Sequence, residues 1–151
     1  MKRFAFLSTV AADLGDAFVF VAPITCVPLV VTVLFAEWSM LLPMVTVPLV
    51  FFLAGLVLKR LPRNEREHRL STAMCSVALF WFACAAISGI PFIVGLHMSF
   101  TDAIFEGMAG WTSTGFSMTR SLDTVPHTLL FWRSYMQWIG GSGSIAFSLA
   151  M

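Results

Sequence analysis

Long uncharged runs dominate the chain, and its charged residues fall in clusters between them. Residues 17–36 carry no charge. At about 1.5 Å of rise per residue they can cross an apolar core of about 30 Å as a helix. The polar turn Glu37-Trp38-Ser39 follows, and residues 40–58 form a second uncharged run. Residues 1–58 therefore predict a transmembrane hairpin, with residues 1–16, which carry Lys2, Arg3, Asp13 and Asp16, as an interfacial lead-in. Both runs hold prolines at the same interval, Pro23 with Pro28 and Pro43 with Pro48, inside similar octets. Residues 59–69 are the most charged stretch, and residues 70–94 predict a third span that carries Gly89-Ile90-Pro91 near its far end.

The pattern then changes. Ser99 or Thr101 as a cap, with Asp102 in the first turn, signals a helix start. That helix runs over about residues 102–111, or about 15 Å, which is half a bilayer. Thr112-Ser113-Thr114-Gly115-Phe116 comes next, too small and too hydroxyl-rich to continue a span. Residues 117–126 return along a surface with Arg120 and Asp123. From His127 a fourth span begins, still apolar at Met151. The fold class expected is all-α integral membrane: an N-terminal transmembrane hairpin (1–58), a basic loop (59–69), then one helix–pore loop–helix unit (70–151).

Composition agrees. The chain is 58% hydrophobic and 11% charged, with a mean hydropathy of +0.87, whereas soluble domains are about a quarter charged. The formal net charge of +1 argues against nucleic acid as a partner. Lys2, Arg3, Lys59, Arg60, Arg63, Arg66 and Arg69 put most of the nine basic residues on one side. By the positive-inside rule the N-terminus and the 59–69 loop are cytoplasmic, and the protein is multi-pass in the cell inner (plasma) membrane. Asp13 and Asp16 interrupt the pattern of a cleavable leader. Cys26, Cys75 and Cys84 lie in apolar runs at spacings that fit no metal motif.

The chemistry concentrates in residues 112–116. Non-helical backbone at membrane depth survives only where protein buries it or water-filled space adjoins it. Freed carbonyls and the hydroxyls of Thr112, Ser113 and Thr114 are hard oxygen donors suited to a dehydrated alkali cation. Gly115 permits the backbone angles that aim successive carbonyls along one axis. The plainer alternative is an ordinary Thr/Ser/Gly turn between helices. Glu106, on the half-length helix, either draws cations to the mouth or pairs with Arg133; Arg133 otherwise snorkels to the interface. Gly140, Gly141 and Gly143 mark either close helix packing or an unwound gate point beneath the filter. No nucleophile–base set has credible spacing. An enzyme is disfavoured, with His97, Asp102 and Glu106 as its only candidates.

These residues carry a resemblance. Asp102-Ala103-Ile104-Phe105-Glu106-Gly107-Met108-Ala109-Gly110-Trp111-Thr112-Ser113-Thr114-Gly115 resembles the first pore loop of Trk-type potassium uptake proteins, the TrkH members of the Trk/Ktr/HKT superfamily. Leu122-Asp123-Thr124-Val125-Pro126-His127, Leu130-Phe131-Trp132-Arg133-Ser134 and Gln137-Trp138-Ile139-Gly140-Gly141-Ser142-Gly143 are similar to the same region in order and spacing. Ile90-Pro91-Phe92 sits where that family ends the helix before its pore loop. The resemblance implies four linked helix–loop–helix repeats around one pore, preceded by a hairpin. It implies K⁺ held at Thr112, Ser113, Thr114, Gly115 and Phe116, with Gly115 as the glycine associated with potassium preference. It implies no cofactor, a dimer, and a cytoplasmic TrkA-like nucleotide-binding regulator. One repeat supplies a quarter of a filter, so the other repeats come from elsewhere: another chain, or further copies of this one. The alternative is a non-conducting membrane subunit or truncated fragment used for assembly only.

Overall fold

The structure, a computed structural model, describes residues 2–62, 70–119 and 121–150. Among them are seven helices and no strand. α1 (Lys2–Ile24) and α2 (Pro28–Leu34) make the first pass, and α3 (Trp38–Lys59) returns. α4 (Leu70–Ser88) and α5 (Ile90–Leu96) make the third pass, followed by the short α6 (Phe100–Trp111) and the long α7 (His127–Ala150). Among the described residues, three stretches are long and apolar enough to cross a membrane: Ala5–Leu34, Trp38–Lys59 and Leu70–Leu96. This is an all-α membrane protein. Most of the expected basic loop, residues 63–69, lies outside the described residues, as does Arg120.

The first span differs from its expected limits. α1 runs without interruption through Asp13 and Asp16, so residues 2–16 continue into the first pass as one helix rather than forming a separate lead-in. Both acids have partners on other passes, Asp16 on α3 and Asp13 on α4. Asp16 Oδ1 lies 3.1 Å from Lys59 Nζ at the end of α3, and the Ser76 hydroxyl donates to Asp13 Oδ2 at 3.5 Å. Alongside, α1 and α3 cross at Gly15 and Gly55, where a side chain on either would stand 3.0 Å from the other's carbonyl oxygen. Small residues at such crossings let backbones approach, which is how helices associate where apolar burial from water is absent. Phe18 meets Phe51 edge-on at 5.4 Å just beyond.

The similar proline octets fold differently. α3 continues through Pro43 and Pro48, whereas the first pass breaks between Ile24 and Pro28. Pro28 has no N–H to give the Ile24 carbonyl. The Val27 amide turns to Ile24 O at 3.3 Å, and the Tyr135 hydroxyl of α7 donates to the same carbonyl at 3.2 Å. A second break, at Gly89 and Pro91, is treated in the same way. There the Phe92 amide turns to Gly89 O at 3.0 Å, and Trp132 Nε1 donates to Ser88 O at 3.1 Å. Two aromatics one turn apart on α7 thus satisfy carbonyls at both proline breaks, which ties the hairpin and the third pass to α7.

α7 begins at His127 as expected and is helical to Ala150. Among the described residues it is not one of the three stretches long and apolar enough to cross a membrane. Arg133, Gln137 and the Gly140-Gly141-Ser142-Gly143-Ser144 run lower its hydropathy. The buried core runs from the hairpin, at Phe18, Met44, Val47 and Phe51, past Cys84 and Phe92 to Trp111, Leu129, Trp132 and Met136 beside α6 and α7.

Candidate ion-coordination site

α6 is held at both ends. Ser99 caps its start, accepting the Asp102 amide at 3.2 Å. Its glycines give close approach: a side chain at Gly107 would collide with the Ala85 carbonyl of α4, and one at Gly110 would meet Met136 of α7 at 2.9 Å. Trp111, 2% exposed, donates from Nε1 to the Ser88 hydroxyl at 2.8 Å. The last residue of the half-length helix is therefore anchored at the break in the third pass.

The helix then closes in a Schellman motif. The Thr114 amide returns to Ala109 O at 3.2 Å and the Ser113 amide to Gly110 O at 3.0 Å. These are the paired bonds of that cap, and Ser113 takes the left-handed position at φ +58°. All three hydroxyls point back into the scaffold. Thr112 Oγ1 donates to Met108 O at 2.7 Å, Ser113 Oγ to Gln137 O at 2.8 Å, and Thr114 Oγ1 to Ala109 O at 3.4 Å. Among the described residues, the carbonyls of Thr112, Ser113, Thr114 and Gly115 accept no hydrogen bond. This stretch, with Phe116, is exposed. Gly115 has φ +77°, and nothing lies within 4 Å of where its side chain would begin. Its glycine answers a backbone angle rather than a lack of space.

Behind this strand Glu106 is 1% exposed and fully bonded. Its Oε2 accepts Arg133 Nε at 2.7 Å. Its Oε1 accepts the Ser117 hydroxyl and the Met118 amide, both at 2.6 Å. Arg133 reaches on with Nη2 to the Phe116 carbonyl at 3.5 Å. Of the two sequence readings for Glu106, this geometry is the buried pair rather than the open mouth. Arg133 is turned inward, its side chain only 14% exposed. His97 lies exposed at the left-handed end of α5, φ +52°. No hydrogen bond among the described residues joins His97, Asp102 and Glu106 into a set.

The three α7 glycines separate by position. A side chain at Gly140 would collide with the Trp111 carbonyl, at Gly141 it would stand 3.2 Å from Ser113 Oγ, and at Gly143 nothing lies within 4 Å. α7 is helical through all three, with no unwound point. Gly140→Ala is expected to cost about 1–3 kcal/mol by forcing two backbones apart. Gly143→Ala is expected to be neutral or to gain up to about 1 kcal/mol of helix propensity. Parallel thermal unfolding in detergent checks the contrast.

Sequence reasoning missed Glu37. Its Oε1 accepts the His127 amide at 2.7 Å and lies 3.0 Å from His127 Nδ1, and its Oε2 accepts the Thr128 amide at 2.9 Å. It caps α7 from ninety residues away, favourably placed at a helix N-terminus. Burial raises its carboxyl pKa, but the Thr128 and His127 hydrogen bonds outweigh that and hold it at about 2, against the usual 4.5. A lowered folded pKa gives stability that is complete above pH 4.5 and is lost as pH falls toward 2. The loss is expected to be on the order of 2 kcal/mol at this partly exposed site. Comparing the acid limb of unfolding for the native chain and Glu37→Gln checks it: the variant lacks that component.

Residues 43–151 match the TrkH family, described as cation transport protein. An uncharacterised cation transporter of Methanocaldococcus jannaschii is 35% identical over 138 residues, 89% of this chain and 28% of that protein. The Trk system potassium uptake protein TrkH of Escherichia coli K12 is 39% identical over 91 residues, 59% of this chain and 19% of that protein. The crystal structure of the potassium transporter TrkH from Vibrio parahaemolyticus superposes with a TM-score of 0.85 at 26% identity, covering 95% of this chain and 31% of that one. The chain thus spans less than a third of the length of these relatives, which are transporters rather than enzymes.

Proposed function

This chain belongs to the TrkH family of cation transport proteins, and on that premise we propose that it supplies one pore-loop repeat to potassium uptake. The carbonyls of Thr112, Ser113, Thr114 and Gly115 take the place of water around K⁺, and Phe116, whose carbonyl faces Arg133, ends the filter segment. The observation that carries this reading is the exposed strand whose hydroxyls are turned into the scaffold while the carbonyls at 112–115 accept nothing among the described residues. A carbonyl already bonded to protein has less to offer a cation. Glu106 and Arg133 support the strand from behind, and Gly140 and Gly141 set how closely α7 approaches it. K⁺ is the transported ion, and no cofactor takes part.

The rest of the organisation follows from this reading. Residues 1–58 form the hairpin and 70–151 the repeat. The N-terminus and the basic 59–69 loop face the cytoplasm of an inner-membrane protein, where that loop is available to a TrkA-like nucleotide-binding regulator. The remaining sides of the pore come from further repeats, in the same protein or another chain.

The test uses Thr114→Cys in the assembled transporter, with Cys26 and Cys75 replaced by serine. A cationic thiol reagent applied from outside is expected to block rubidium uptake, and potassium is expected to slow the block. Complete modification with unchanged uptake overturns the proposal.

A further inference from the structure

Ser113 occupies the position in a Schellman cap that glycine ordinarily fills. At φ +58°, a residue with a Cβ pays about 1–2 kcal/mol that glycine does not. The other left-handed position of this strand, at φ +77°, is indeed a glycine, Gly115. A strained angle persists where the surroundings over-determine it, and at Ser113 the side chain shows what is gained. Its hydroxyl joins the start of the strand to α7, donating to Gln137 O at 2.8 Å. The hydroxyls of Thr112 and Thr114, by contrast, bond only within α6.

The receiving surface on α7 is shaped for this bond. Gln137 O and Gly141 lie one turn apart on the same face of the helix. A side chain at Gly141 would begin 3.2 Å from Ser113 Oγ, close enough to push the hydroxyl by a few tenths of an ångström. Gly140 beside it seats the Trp111 carbonyl, so the contact has no slack. Arg133, one turn further back, touches the other end of the strand at Phe116 O.

We propose that Ser113 is a positioning residue that latches the ion-coordinating strand to α7, so that the spacing of the carbonyls follows the position of α7 at Gln137–Gly141. This rests on the pore-loop reading above. The latch sets selectivity among monovalent cations rather than the stability of the fold, because the backbone at 113 would be more comfortable as glycine.

The experiment is a double-mutant cycle of Ser113→Gly and Gly141→Ala, with two readouts. The first is hydrogen exchange of residues 112–118 in the chain reconstituted in lipid nanodiscs. Ser113→Gly is expected to speed exchange there about fivefold, the effect of losing one hydrogen bond, without lowering the unfolding temperature. Gly141→Ala is expected to act in the native background and to be silent once Ser113 is glycine. The second readout is the ratio of rubidium to sodium uptake in the assembled transporter, expected to fall in either single variant. A merely capping role predicts slower or unchanged exchange in Ser113→Gly and equal loss of both ions. Additive effects in the cycle, or an unchanged ratio in a transporter whose uptake depends on Gly115, overturn the latch. If uptake proves independent of Gly115, the pore-loop reading fails, and the exchange cycle still decides the latch.

Discussion

Glu106→Gln is expected to cost about 3–5 kcal/mol of stability, the usual loss when one partner of a buried ion pair is removed. The change is nearly isosteric, so the cost is electrostatic. Arg133, 14% exposed, keeps its charge and loses its counter-charge. The amide that replaces the carboxylate cannot accept three donors on two equivalent oxygens, so Arg133 Nε, Ser117 Oγ and the Met118 amide now compete for one oxygen. The strand after Phe116 is the part that loosens. Removing both charges, with Glu106→Gln and Arg133→Met together, is expected to recover much of the loss, because the unpaired cation is gone. Thermal unfolding of the two single variants and the double variant measures this. A Glu106→Gln protein as stable as the native one contradicts the buried-pair account.

Gly115→Asp is expected to abolish potassium uptake while membrane insertion and overall helicity stay normal. Nothing lies within 4 Å of the new Cβ, and the site is exposed, so the fold has no steric reason to fail. The damage is local. An aspartate tolerates φ +77° better than most residues but places a full negative charge among partial ones. Conduction requires an ion to leave as readily as it enters, and a fixed carboxylate holds it. Gly115→Ala separates angle from charge. It pays only the left-handed cost of about 1–2 kcal/mol, about a tenfold fall in the population of the conducting strand. Uptake should then rank native above Ala above Asp, as rubidium influx in a strain lacking its own potassium transporters would show. Normal influx by a correctly inserted Gly115→Asp protein contradicts the role given to the strand.

What the chain discloses on its own is what is local in it. Ser99 and Asp102 announce the start of α6, and Trp111 followed by Thr, Ser and Gly announces its end, because caps and short helices are written within a few residues. The long apolar runs disclose their passes for the same reason. The limits of the first pass are hidden because the decisive partners are distant. Asp13 and Asp16 resemble a boundary until Ser76 of α4 and Lys59 of α3 meet them from other passes. The two proline octets look alike, but one breaks and one does not. At the break, Tyr135, far along the chain, takes up the Ile24 carbonyl. Glu37 is an ordinary loop acid by its neighbours and a helix cap only by its contact with His127 and Thr128. In the candidate site, the end of α6 and the non-helical run from 112 to 116 are legible in the sequence, but the direction of the hydroxyls is not. Ser113 at a left-handed angle runs against its residue type, and only its contact with Gln137 O explains it.

The most direct test of the central claim is to locate the ion. The assembled protein, crystallised in thallium in place of potassium, would be examined for anomalous density along residues 112–116. Peaks within coordination distance of the carbonyls of Thr112, Ser113, Thr114 and Gly115, replaced when potassium is returned, are the predicted result. Lipid or packed side chains against those carbonyls, with no thallium there, would contradict it.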